Sequence, residues 1–171
     1  MVTDRVGDFY SGGRDTEGRT LDEILAWDND RLEAVHDYIQ WVFPTRQPSG
    51  VNPDAPLVTE ATVRAFARDE TLRARLKRAF GRMLGFYGLR ASVGRVEIDR
   101  ETFPSRARVW LHPGNHNHLR LTRIMDSLAT LGLREEARAL QRCLIEDVST
   151  GPGAGRVMPR TLEFWTRAVS G

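Results

Sequence analysis

A chain of 171 residues, 40% hydrophobic and 28% charged, has the make-up of one globular domain spanning residues 1–171, long enough to bury a core of its own. No segment approaches the roughly 18 consecutive apolar residues a membrane-crossing helix needs, and the opening MVTDRVGDFYSGGRD lacks the apolar stretch of a signal peptide. The single Cys143 excludes an intrachain disulfide and points to a reducing cytoplasm, while the net charge of +2 argues against a strongly basic nucleic-acid surface. Only Lys77 among the 25 basic residues is not arginine; the bland source is a GC-rich genome, and the sharper one is a surface that grips phosphate or carboxylate.

Residues 1–19 read as a polar, glycine-rich arm anchored by Phe9 and Tyr10. Thr20-Leu21-Asp22-Glu23 is a capping box that opens a short helix to about Trp27. Asp28 or Asn29 caps the next helix, whose Leu32, Val35, Ile39 and Val42 keep helical spacing until Pro44 stops it. From Pro44 to Val58 the chain carries four prolines (Pro44, Pro48, Pro53 and Pro56), and Val51, Leu57 and Val58 ask for burial, so it reads as an ordered loop shaping one wall of a pocket. Ser49, Asn52 and Asp54 suit its turns.

Thr59 caps a helix over 61–68, with Val63 and Phe66 inward. Asp69 caps a longer one from Glu70 to Tyr87, striped by Leu72, Leu76, Phe80, Met83 and Tyr87 and closed by Gly88. Between 89 and 111 weak alternation at Val93–Asp99 and Ala107–Leu111 allows a short hairpin or an irregular excursion. Asn115 caps a helix striped by Asn117, Leu121, Ile124, Leu128 and Leu131 and closed by Gly132. Residues 134–148 form another, with Ala137, Leu140, Leu144 and Val148 inside. A flexible link at 150–158 leads to a last helix carrying Leu162, Trp165 and Val169. The expectation is an all-α domain of about seven helices with a long Pro-rich ordered loop and at most a short hairpin near 93–111.

Three of the four histidines fall within His112–His118. His116 and His118 are two apart and splay to different helix sides, a proline and a glycine separate His112 from His116, and no HExxH is present, so no metal site is assigned. The helix start offers another chemistry: free N–H groups and the macrodipole favour an anion, and Asn115, His116, Asn117 and His118 occupy that turn with Arg120 and Arg123 following. The competing reading gives Asn117 and His118 to the backbone groups of the Pro44–Val58 loop, which must be satisfied somewhere. His36 and Gln40 share a helix face, Tyr38 and Trp41 offer apolar contact, and Arg46 reaches an anion or caps carbonyls. Cys143 sits among leucines as an inert thiol, and hydrolase elbows, Walker loops and dinucleotide fingerprints are absent.

HDYIQWVFPTRQPSGVN followed by PLV, MLGFYGL at 83–89, NHNHLRLTRIMDSLATLGL and the early DFYSGG together resemble the opioid growth factor receptor conserved-region family, over roughly residues 8–148. The resemblance implies a helical domain and a peptide ligand; the eukaryotic namesake is described as a receptor for the pentapeptide Met-enkephalin, associated with the nuclear envelope. The arginine bias and the short chain, without the namesake's long repeat-bearing C-terminal region, read as bacterial.

The leading expectation is a non-enzymatic binding module that takes a small anionic or peptide ligand, without a cofactor, in a cleft between the 36–58 segment and the 115–131 helix. Its candidate residues are His36, Tyr38, Trp41, Arg46, Asn115, Asn117, His118 and Arg120. The enzyme alternative uses His116 or His118 as a base, or a metal with His112 and His36. A third reading, nucleic-acid binding through Arg64, Arg68, Arg75, Lys77, Arg78 and Arg82, is the least favoured, because acidic residues are mixed among them.

Overall fold

The computed structural model describes residues 4–170. Its elements in chain order are α1 (Arg5–Tyr10), α2 (Leu21–Leu25), α3 (Asn29–Ala34), α4 (Ile39–Val42), α5 (Glu60–Arg68), α6 (Glu70–Tyr87), β1 (Leu89–Ser92), β2 (Arg95–Ile98), α7 (Phe103–Trp110), α8 (Asn117–Thr130), α9 (Arg134–Arg142) and α10 (Pro159–Arg167). This corrects the all-α, seven-helix expectation: among the described residues there are ten α-helices and an antiparallel two-stranded sheet, in the register Leu89↔Ile98 to Ser92↔Arg95.

Each departure has a local cause. The expected polar arm contains α1, because Asp4 caps it (Gly7 N to Oδ1, 3.2 Å) and also accepts from Thr62 Oγ1 at 2.8 Å, tying it to α5; residues 1–3 of that arm lie outside the described residues. The helix expected from Asn29 to Pro44 breaks at Val35, which is extended (φ −92°, ψ 132°), and restarts at Ile39. The hairpin lies at 89–98, and 103–110 is a helix. There Pro104 sits in the first turn, where its missing N–H costs nothing, and the Phe103–Ala107–Trp110 spacing outweighs the apparent alternation. The helix expected from 134 to 148 is α-helical only to Arg142; Cys143–Val148 widens into a π-helical segment that still buries Leu144 and Val148.

The capping predictions succeed where the chemistry is local. Thr20 and Glu23 form both bonds of the box, Thr59 and Thr62 do the same at α5, and Asp69 accepts from Thr71 N at 2.8 Å at the start of α6. Gly88 ends α6 at φ 75°, and a Cβ there would lie 2.6 Å from Phe103 Cα, so only glycine lets α7 dock against the helix end.

The five apolar positions striping α6 and the five striping α8 are all buried in one contiguous cluster that also takes in Phe9, Tyr10, Trp41, Phe43, Phe66, Trp110 and Trp165. The 44–58 loop is ordered and closed at its neck by Val58 N donating to Thr45 O at 3.0 Å. Inside it Ser49 Oγ accepts from Val51 N and Asn52 N, and Asn52 Nδ2 donates to Asp37 O at 3.3 Å. Val58 is buried as expected, but Val51 and Leu57 are 85% and 42% exposed, because the loop turns its tip away from the core. Among the described residues no helix is long and apolar enough to cross a membrane.

Candidate functional site

A cleft of about 600 Å³ lies between the 36–51 segment and the outer face of α8. His36, Ile39 and Gln40 form one wall, Thr45 and Pro48–Val51 another, and His116, Leu119, Arg120, Thr122, Arg123 and Asp126 come from α8, with Phe164 closing one side from α10. Three exposed hydrophobic side chains, Val51, Leu119 and Phe164, meet at this one place. Such gatherings on a soluble surface mark contact sites far more often than singly scattered apolar residues do.

Of the eight residues singled out from the sequence, His36 and Arg120 line the cleft. Tyr38 is buried with its hydroxyl on Leu32 O (2.9 Å) and its ring edge-on to Trp27; burial pushes the phenol up to about 12. Trp41 packs in the core against Phe9 and under the Arg5 guanidinium (4.9 Å), so neither aromatic offers a face to the cleft. Arg46 pairs with Glu60 at 2.6 Å beyond the cleft wall.

Asn115, Asn117 and His118 brace the start of α8, which begins two residues later than its expected cap. Asn115 Nδ2 donates to Val109 O (3.1 Å) and its Oδ1 accepts from Asn117 N (2.9 Å). Asn117 is fully buried, donating to Glu33 Oε2 at 3.0 Å and accepting from Tyr87 OH at 3.4 Å. His118 Nε2 meets Trp110 O at 3.0 Å, which requires the proton on Nε2 and leaves Nδ1 without a partner, and its ring stands edge-on to Trp110 and Trp165.

Burial holds His118 below its ordinary value of 6.5. The unfolded chain therefore takes up this proton first, and stability falls as pH drops below 6.5 toward the folded value. Denaturation midpoints measured across that window should decline toward acid, and His118→Gln, which keeps a donor for Trp110 O, should flatten the decline.

The polar centre of the site is Arg120. Its guanidinium donates to Leu32 O (3.0 Å) and Val35 O (2.9 Å), the carbonyls freed where α3 ends, and meets His36 Nδ1 at 3.2 Å and Glu33 Oε2 at 3.8 Å. Glu33 also pairs with His116 Nε2 at 3.0 Å, and the His116 and His36 rings stand edge to face, 5.3 Å apart. Sequence reasoning placed Arg123 only on the outer side of α8 and missed Asp126, though a polar stripe His116–Arg120–Arg123–Asp126–Thr130 opposite the apolar one carries the signal. Arg123 Nη1 donates to Phe43 O at 3.2 Å and Thr45 Oγ1 at 3.4 Å; its Nε and Nη2 have no protein partner among the described residues. Burial lowers Arg123 and raises Asp126, as expected for charges half withdrawn from water.

The alternative chemistries find less support in the geometry. His112 turns to Val109 O, His116 to Glu33 and His118 to Trp110 O, so the three diverge. Among the described residues no three His, Cys, Asp or Glu side chains converge on a possible cation, and no hydroxyl or thiol bonds to His116. Four of the six basic residues considered for nucleic acid are engaged elsewhere: Arg75 with Tyr10 O, Lys77 with Glu136, Arg78 with Asp22, and Arg82 with Trp27 O and Asn29.

A family model described as the opioid growth factor receptor conserved region matches residues 9–171. The chain is 37% identical over 161 residues to the opioid growth factor receptors of Homo sapiens and Mus musculus, covering 89% of this chain but 23% and 24% of those proteins. It is 28% identical over 156 residues to the opioid growth factor receptor-like protein 1 of Xenopus tropicalis, covering 90% of this chain and 30% of that one. The chain thus spans about a quarter to a third of the relatives it matches. No solved structure matches.

Proposed function

Because the chain belongs to the opioid growth factor receptor conserved-region family, we propose that it is a non-enzymatic binding module whose ligand is a short peptide or similar small molecule bearing an anionic end, seated in the cleft between the 36–51 segment and α8. The observation that carries this reading is the pairing, in one cleft, of three exposed apolar side chains with the unspent donors of a half-buried Arg123. Apolar ligand surface is removed from water at Val51, Leu119 and Phe164, and a carboxylate meets a guanidinium whose remaining N–H groups point to no protein acceptor. Arg120 is excluded as the anion's main contact, since its donors are used on backbone carbonyls.

The test is titration of the protein with Met-enkephalin and with its C-terminal amide, followed by backbone-amide NMR. The free-acid peptide should perturb residues of α8 and the 45–51 loop, and amidation should weaken it. Arg123→Gln, which keeps a donor for Phe43 O, should lower affinity by roughly tenfold or more through loss of a charge-assisted pair. Perturbations confined to other surfaces, or equal binding of acid and amide with no effect of Arg123→Gln, would sink the reading.

A further inference from the structure

The cleft does not end at Arg123. Asp126, one turn on, lines both the cleft and an adjoining cavity of about 360 Å³ bounded by Arg46, Ala129, Thr130 and the chain around Val169. Its carboxylate is half-buried, yet it accepts only one weak bond, from Thr130 Oγ1 at 3.4 Å. Among the described residues no basic side chain lies within ion-pair distance of it: Arg46 is taken by Glu60, and Arg123 reaches across to Phe43 and Thr45. A carboxylate partly stripped of water keeps several unused lone pairs, and its desolvation cost goes unrecovered until a cation arrives. Burial pushing the Asp126 carboxyl above the usual range is the same cost seen in titration.

We propose that Asp126 is a subsite for a primary ammonium group, so that the ligand of this cleft is dipolar, its anionic end on Arg123 and its ammonium end on Asp126. The inference rests on the cleft reading above and extends it from an anion site to a site that measures the separation of two opposite charges along one face of α8. A helix turn separates Arg123 from Asp126, and the apolar rim lies beside both, so the ligand spans a short apolar spacer between its charged ends.

The experiment uses two fragments with opposite heads, n-hexylammonium and n-hexanoate, each titrated into the whole protein and into Asp126→Asn while backbone amides are recorded. Hexylammonium should shift residues 126–130 in the native protein and bind Asp126→Asn at least tenfold more weakly, while hexanoate should bind both. On the native protein, the carbon-detected titration of the Asp126 carboxyl should move to lower pH with hexylammonium bound, a readout that needs no variant. Hexanoate binding in the cleft without any hexylammonium response, or an Asp126 titration that hexylammonium leaves in place, overturns the ammonium subsite and leaves the cleft reading intact. Silence from both fragments overturns the two together.

Discussion

Arg120→Ala is expected to destabilise the protein by about 3–5 kcal/mol, because hydrogen bonds from a charged donor each contribute roughly 1.5–3 kcal/mol and two buried carbonyls lose theirs at once. Those carbonyls, Leu32 and Val35, are the open end of α3, and no other side chain except the Tyr38 hydroxyl on Leu32 reaches them. Removing the guanidinium also leaves Glu33, His36 and Asn117 without the cation around which they gather. For a chain of this size the loss corresponds to a fall in Tm of roughly 10 °C or more. Arg120→Lys should recover only part of it, since one ammonium on a flexible stem cannot serve two carbonyls and an imidazole from the fork geometry that arginine holds. Thermal unfolding of the two variants beside the native protein decides the matter. If alanine costs less than about 1 kcal/mol, Arg120 is ornamental at the α3 end and its place in the cleft becomes the better reason for its presence.

That expectation reverses the part the sequence assigned to the helix start. Asn115, Asn117, His118 and Arg120 stand in a row of polar residues at a helix N-terminus, which is how an anion site reads in one dimension. What decides against it is long-range: Val109 and Trp110 lend carbonyls from α7, Glu33 reaches over from α3, and Trp165 arrives from the far end of the chain. No spacing within 115–120 announces those partners. The break at Val35 was hidden for the same reason, since Leu32, Val35, Ile39 and Val42 keep an unbroken helical period while the bonds that make a break affordable come from α8.

The features that were legible are those whose physics is local. Caps at Thr20, Thr59 and Asp69, the left-handed Gly88, and the buried stripes of α6 and α8 each depend on residues within a few positions of one another. The location of the cleft, between the proline-rich loop and α8, was also readable, because loop and helix face carry the polar and small residues a surface concavity needs. Its contents were not. Tyr38 and Trp41 look like contacts in a motif and are core side chains, whereas Val51, expected to be buried, stands at the rim.

Trp165→Ala carries the other large effect, and it connects the core to the cleft. The indole is fully buried, donates Nε1–H to His118 O at 3.2 Å and lies edge-on to the His118 ring, 5.5 Å away. Truncating a buried tryptophan to alanine costs roughly 3–5 kcal/mol, through lost apolar transfer and the void left behind. Here the loss should concentrate in α10. A nine-residue helix is marginal by itself in water, and apart from Trp165 it is tied down by Gln141 Nε2 on the carbonyls of Trp165 and Thr166. Amide exchange in α10 should therefore accelerate far more than in α6, whose buried stripe does not touch the substitution. Phe164, the neighbour of Trp165, would leave the cleft with the helix, so ligand affinity should fall even though no cleft residue has been changed. Trp165→Phe, which keeps apolar volume and loses the Nε1 donor, should restore most of the protection in α10 and most of the binding. Exchange that rises equally in α6 and α10 would instead make Trp165 a keystone of the whole core, and the cleft would then have no separable wall for a partner to find or lose.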